Sequence, residues 1–178
     1  MPNPVLAFVA LGSNLGDPRA HVLRAFARLQ SLTDQPLLRS LLWETTPVHC
    51  PPGSPRFVNA VAGLVPHAEE TPFSLLTKLQ ALEKEIGRQP KKILNEPRVI
   101  DLDLIAFGQT VVATPELALP HPRAHERQFV LQPLSEIAPD FVLPGMQKTV
   151  AELLHELEED PAFRCLDHGQ RQTPDRRP

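Results

Sequence analysis

The segment Val99–Phe107, VIDLDLIAF, sets Ile100, Leu102 and Leu104 in alternation with Asp101 and Asp103. A period of two predicts an extended strand with two unlike faces. Ile100, Leu102 and Leu104 predict a face laid against helices. Asp101 and Asp103 share the other face, about 7 Å apart at about 3.3 Å of rise per residue. A fold that holds this strand must cover one side of a sheet with helices and leave two carboxylates on the other.

The rest of the chain supplies those partners. Val5–Leu11 is an apolar run of strand length, and Gly12-Ser13-Asn14 predicts a turn after it. Asp17-Pro18 predicts a helix start, with Val22, Phe26 and Leu29 at helical spacing to about Leu32. Leu37–Thr46 and Phe57–Val65 read as strands, separated by the proline-rich loop His49–Arg56. Thr71-Pro72 opens the clearest helix, with Leu75, Leu76, Leu79, Leu82 and Ile86 on one face and Gly87 as its stop. Arg88–Glu96 lacks periodicity and reads as a loop. After Val99–Phe107, Gly108-Gln109 predicts a hairpin into Thr110–Ala113. Leu119–Arg127 reads as a polar loop, with helices predicted over Phe129–Ile137 and Val150–Glu159. The apolar face of the last one (Val150, Leu153, Leu154, Leu157) is expected to pack internally. The order of strands and helices predicts an α+β sandwich, with helices packed on an antiparallel-rich sheet. One domain over residues 1–165 is expected, then a disordered tail over 166–178, polar from His168 onward.

Composition narrows the function classes. The 178 residues suit one core, and a net charge of −3 argues against nucleic-acid binding by bulk charge. Two cysteines are too few for a disulfide framework, which predicts a reducing cytoplasm. No apolar run reaches the roughly 18–20 residues that cross a bilayer, and the N-terminus lacks the pattern of a signal peptide.

Two carboxylates at strand spacing repel unless a cation lies between them. Hard oxygen donors suit Mg²⁺, commonly held by one or two carboxylates and by substrate phosphates. Lys84, Arg88, Lys91, Lys92 and Arg98 form a basic stretch just before the pair, and His121, Arg123, His125 and Arg127 form another after it. Carboxylates beside arginines predict a polyphosphate site. There is no GxxxxGK[ST], so a P-loop is excluded. His49-Cys50 lacks the second pair that zinc requires. Three readings from other classes remain at this point: an Mg²⁺-dependent phosphohydrolase, a non-catalytic ligand-binding module of the same α+β fold, and a purely structural interaction protein.

Six segments in order, VALGSNLGD, ETTPV, FVNAV, LLTKLQALEKEIGR, PRVIDLDLIAFG and LPHPRAHERQFVLQPLSEIAP, resemble the 6-hydroxymethyl-7,8-dihydropterin pyrophosphokinases of folate biosynthesis. The resemblance covers about Val5 to Pro144. It implies a ferredoxin-like fold and transfer of pyrophosphate from ATP to the pterin's hydroxymethyl oxygen, with release of AMP and the help of two Mg²⁺ ions. It also implies Asp101 and Asp103 as metal ligands, and Arg88 and Arg98 beside them as catalytic groups. Phe57, Asn59, Phe129, Thr45 and Val48 would meet the pterin. Gln80, Glu83, Arg88, Arg98, His121 and Arg127 would line the ATP side. The expected partners are small molecules, without nucleic acid or membrane, and the expected state is a monomer. Where the family carries a basic residue, an aromatic and a small residue before Pro-Arg, this chain has Leu94, Asn95 and Glu96. HCPPGSPR also lacks the family's Asp-Gln pair.

Overall fold

A computed structural model describes residues 4–47 and 49–167. Its core element is an antiparallel sheet. Ala7–Ser13 (β1) pairs on one side with Phe57–Leu64 (β4) and on the other with Asp101–Phe107 (β5). Trp43–Thr45 (β3) lies beyond β4, and Arg164–Cys165 (β8) beyond β3, so the order across the sheet is β5-β1-β4-β3-β8. Leu38–Arg39 (β2) pairs with the far half of β4.

Helices cover both faces. Pro18–Leu29 (α1) and Pro72–Ile86 (α2) pack Val22, Phe26, Leu75 and Leu79 on one face, against Val9, Leu11, Leu102 and Leu104 of the strands. Gln128–Ile137 (α3) and Val150–Glu156 (α4) pack Val130, Leu131, Leu134 and Val150 on the other, against Phe8, Val61 and Ile105. Leu153, Leu154 and Leu157 pack in this second cluster, so the last helix turns its apolar face inward as expected. The antiparallel sheet with helices on it is the expected α+β sandwich.

Local chemistry sets the helix ends. The Asp17 carboxylate accepts from the Ala20 amide, with Pro18 in the first turn. Thr71 and Ser74 form a reciprocal capping box, and Gly87 ends α2 at φ +119°.

Four expectations need correction. Leu37–Thr46 is not one strand: it breaks between Arg39 and Trp43. There the amides of Leu41 and Leu42 donate to the carboxylates of Glu136 and Asp167, and Ser40 accepts from the Val61 amide, so side chains replace the ladder. The hairpin from β5 into Thr110–Ala113 does not form. The His121 amide takes Ile105 O on the outer edge of β5, and Val112–Ala113 (β6) pairs with Ala118–Leu119 (β7) instead. The last helix stops at Glu156. Glu158, Glu159 and Asp160 oppose its dipole, and Pro161 keeps Asp160 out of helical geometry. Leu166 and Asp167, assigned to the tail from sequence, are bonded to Leu42 through the Leu166 amide and the Asp167 carboxylate. His168–Pro178 lie outside the described residues.

Candidate active site

The face covered by α3 and α4 is left open at one end of the sheet, and the site lies there. In β5, Asp101 sits opposite Gly12 and Asp103 opposite Ala10. On the other side of β1, Gly12 sits opposite Asn59. The row therefore runs from carboxylate, across a residue with no side chain, to amide. An ideal Cβ on Gly12 would lie 3.1 Å from Asn59 Oδ1 and 3.8 Å from Phe57 Cδ1, so this position must stay bare. A bulge at Ile105, which β1 leaves unpaired between Leu104 and Ala106, returns later β5 residues to apolar packing on the same face.

These residues open into a cleft of about 380 Å³. Thr45, Phe57, Asn59, Arg98, Asp101, Asp103, Arg127 and Phe129 line it, which brings together eight of the residues singled out from sequence. Asn59 is buried, and its Nδ2 donates to the Thr45 hydroxyl at 2.7 Å, leaving Oδ1 toward Gly12. The Arg98 guanidinium lies 6.0 Å from the Phe57 ring centroid, and that of Arg127 lies 5.4 Å from the Phe129 ring. Two flat apolar walls thus each carry a cation beside them.

The other expected residues are placed differently. Arg88 lies behind the cleft, where its Nη1 donates to Asp101 Oδ1 at 2.5 Å and to Glu83 Oε1 at 2.6 Å. Arg98 Nη1 donates to Asp101 Oδ2 at 2.8 Å, so both oxygens of Asp101 are held by arginines. Glu83 is buried in α2. It accepts from the Leu102 amide at 2.7 Å, closing the outer edge of β5, and burial raises its carboxyl above the ordinary value. Gln80 is exposed on α2. His121 is half-buried, and its Nδ1 accepts from the Arg123 amide, which leaves the ring proton on Nε2. Burial, then Arg127 and Arg123, hold its pKa down, so the imidazole is neutral near pH 7. Val48 lies outside the described residues.

Asp103 has no side-chain hydrogen bond among the described residues. Burial, then the charges of Asp101 and Glu83, push its carboxyl up to about 7. Two hard-oxygen donors on one face, in mutual repulsion, fit a divalent cation such as Mg²⁺, which would relieve that repulsion. Among the described residues no group of three or more His, Cys, Asp or Glu is placed to hold a metal, so ligands beyond the pair would be phosphate and water.

Sequence reasoning missed several residues that line or brace the cleft. Asn95 and His49 meet across the mouth, where Asn95 Nδ2 donates to His49 O at 2.8 Å. Both have φ near +54°. Asn14 is buried and joins β1 to the approach to β5: its Oδ1 accepts from the Arg98 amide, its own amide donates to Arg98 O, and its Nδ2 donates to Pro55 O. The Asn in GSNLG was the available signal, hidden by its fit to a turn. Asp160 and Phe163 reach the cleft from the far end of the chain, and no local pattern announces them.

Residues 8–139 match the family model described as 7,8-dihydro-6-hydroxymethylpterin-pyrophosphokinase. A Pseudomonas aeruginosa 2-amino-4-hydroxy-6-hydroxymethyldihydropteridine pyrophosphokinase is 41% identical over 138 residues, 77% of this chain and 83% of that protein. The Haemophilus influenzae protein of the same name is 35% identical over 156 residues, 87% of this chain and 94% of that one. The Pneumocystis carinii folic acid synthesis protein is 36% identical over 84% of this chain, which spans 20% of that longer protein. A crystal structure of wild-type Plasmodium falciparum HPPK-DHPS with pteroate superposes with a TM-score of 0.67 at 13% identity, over 86% of this chain and 42% of that one. That likeness shows the shared fold.

Proposed function

Since the chain belongs to the 7,8-dihydro-6-hydroxymethylpterin-pyrophosphokinase family, we infer that it transfers pyrophosphate from ATP to 6-hydroxymethyl-7,8-dihydropterin in folate biosynthesis. The observation that carries this reading is the single cleft that joins Asp101, Asp103 and Arg98 to Asn59, Phe57 and Phe129 across the bare Gly12. A polyphosphate grip and a heteroaromatic slot lie side by side.

In the proposed reaction the hydroxymethyl oxygen attacks the β-phosphorus of ATP. The new O–Pβ bond forms as the bond from Pβ to the bridging oxygen breaks, AMP departs with that oxygen, and the hydroxyl proton passes to solvent. Phe57 and Phe129 would stack on the two faces of the ring, and Asn59 would read its polar edge, with backbone groups of Thr45 and Val48. Arg98 and Arg127 would hold phosphate oxygens from within the cleft. Arg88, released from Asp101, would join them, with Gln80, Glu83 and His121 on the nucleotide side. Asp101 and Asp103 would hold Mg²⁺, and two ions fit a triphosphate shared between two carboxylates. When bound, the metal screens the triphosphate and polarises the transferred group. One six-stranded sheet with its helices organises the described residues, with the small β6–β7 pair beside it, which supports a single catalytic domain over 1–165 that extends at least to Asp167. A monomer in the cytoplasm completes the reading. No described helix is long and apolar enough to cross a membrane.

The test is AMP release from Mg·ATP with and without the pterin. AMP that requires pterin is the expected result. Inorganic phosphate released without pterin would show a hydrolase, and no turnover would show a binding module.

A further inference from the structure

Beyond residue 139, where the family match ends, the chain returns to the cleft and supplies Asp160 and Phe163 to its lining. The returning segment is fixed at many points. Phe163 stacks on Trp43, with ring centroids 5.0 Å apart and planes at 24°. Arg56 Nη2 donates to Ala162 O at 2.5 Å, and the Asp160 amide donates to Gln128 Oε1 at 3.1 Å. In β8, Cys165 pairs with Trp43, and Asp167 accepts from the Leu42 amide. Held in this way, the segment is a wall of the site.

That wall presents a carboxylate. Asp160 Oδ1 accepts from the Ala162 amide at 2.9 Å and Oδ2 from the Thr46 hydroxyl at 3.1 Å. Each oxygen keeps acceptor capacity for one more donor. The sheet order places this carboxylate at the β3 side of the cleft, with β4 and β1 between it and Asp101 and Asp103 on β5. In the reaction proposed above, the hydroxymethyl carbon points toward β5. The opposite end of the bicyclic ring, with its 2-amino group and adjacent ring N–H, then points toward β3. Those groups are donors, and the acceptors assigned to the ring edge above, Asn59 Oδ1 and backbone groups, are all neutral. A carboxylate there makes charge-assisted bonds, about twice as strong as neutral ones.

We propose that Asp160 accepts a hydrogen bond from the 2-amino edge of the pterin, with Phe163 closing the apolar wall beside it. The C-terminal segment then belongs to the pterin subsite and selects rings that carry an amino group. This inference rests on the pyrophosphoryl-transfer reading, and the test keeps the two apart.

Wild type and Asp160→Asn are compared with 6-hydroxymethyl-7,8-dihydropterin and with its analogue lacking the 2-amino group. Wild type should favour the amino substrate about 10-fold or more in KM, the loss expected when a half-buried charged acceptor goes unmatched. In Asp160→Asn, whose amide oxygen is a weaker, neutral acceptor, that preference should fall severalfold, while kcat and the KM for ATP hold within about twofold. A purely structural segment would move all these constants together. Full retention of the preference in the variant would overturn the proposal. Thermal melting checks that Asp160→Asn is folded; if it is not, Asp160→Ser, which keeps a short acceptor for the Ala162 amide, is read in the same way. Absence of AMP formation by wild type would instead sink the reaction reading, and calorimetric binding of the two rings to wild type and variant would then decide on Asp160.

Discussion

Asp103 shows what a carboxylate proposed as a metal ligand costs the fold around it. Its carboxyl is pushed up to about 7 by burial and by Asp101 and Glu83. Between the ordinary carboxyl value of about 4 and that point, the folded chain keeps a proton that the unfolded chain releases. Stability therefore falls as pH rises through this window. Asp103→Asn removes the charge and keeps the shape. In chelator, at pH 8, it should raise the melting temperature by roughly 3–6 °C, corresponding to about 1–2 kcal/mol once relaxation is allowed for. The gain should disappear below about pH 4, and pyrophosphoryl transfer should be abolished at every pH. Melting curves across pH, beside AMP release, decide it; a variant less stable than wild type at pH 8 would show that the repulsion is already relieved within the fold. Asn59 carries a different kind of cost. Asn59→Ala leaves the Thr45 hydroxyl without its donor and the ring edge without its acceptor. Pterin affinity should drop by about 1–3 kcal/mol, while that of an ATP analogue stays near wild type. Equal losses in the two titrations would contradict the assignment.

At the scale of elements, the loop Arg88–Glu96 bridges α2 and the carboxylate strand, without helix or strand of its own. Ile93 and Leu94 are exposed, and one side-chain bond, Asn95 to His49 O, ties the loop across the mouth. Amide exchange in this loop should slow when an ATP analogue and pterin are both bound, because Arg88, Lys91 and Lys92 then meet phosphates. Asn95→Ala should speed exchange in the ligand-free protein. Identical exchange with and without ligands would rule out ordering of the loop. This same scale shows what the sequence could disclose. The carboxylate strand, the Thr71 cap and the Gly87 stop were legible because each rests on a local period or a local cap. Leu37–Thr46 was misread because side chains distant in sequence, Glu136 and Asp167, took amides that a ladder would have used. The hairpin after β5 failed for the same reason, an edge already taken by the His121 amide. Of the site, eight residues picked out by motif line one cleft, whereas Gln80, Glu83, Arg88 and His121 lie outside its lining. Gly12, Asn14, Asp160 and Phe163 were not picked out, since their roles exist only once strands and termini are side by side.

For the whole molecule, the two helical layers leave one end of one sheet face open, and ligand binding there is coupled to global stability. Mg²⁺ with a non-hydrolysable ATP analogue at about 100 times its Kd should stabilise the fold by about 2.7 kcal/mol, or roughly 5–10 °C for a chain of this size. Removal of the metal with a chelator should cancel most of that shift, measured by calorimetry. A shift that survives chelation would mean that the arginines alone hold the nucleotide and that Asp101 and Asp103 serve no cation.

Arg88 and Arg98 already hold the two oxygens of Asp101 before any phosphate arrives. In the proposed reaction, nucleotide capture is then an exchange of anions at these two guanidinium groups. A carboxylate leaves as a phosphate enters, and fewer ions return to the solvent than the number of basic side chains at the site suggests. Added salt weakens the contact that is broken as well as the one that is formed. Nucleotide affinity should thus decline gently with ionic strength, and Asp101→Asn, which frees both arginines beforehand, should make that decline steeper.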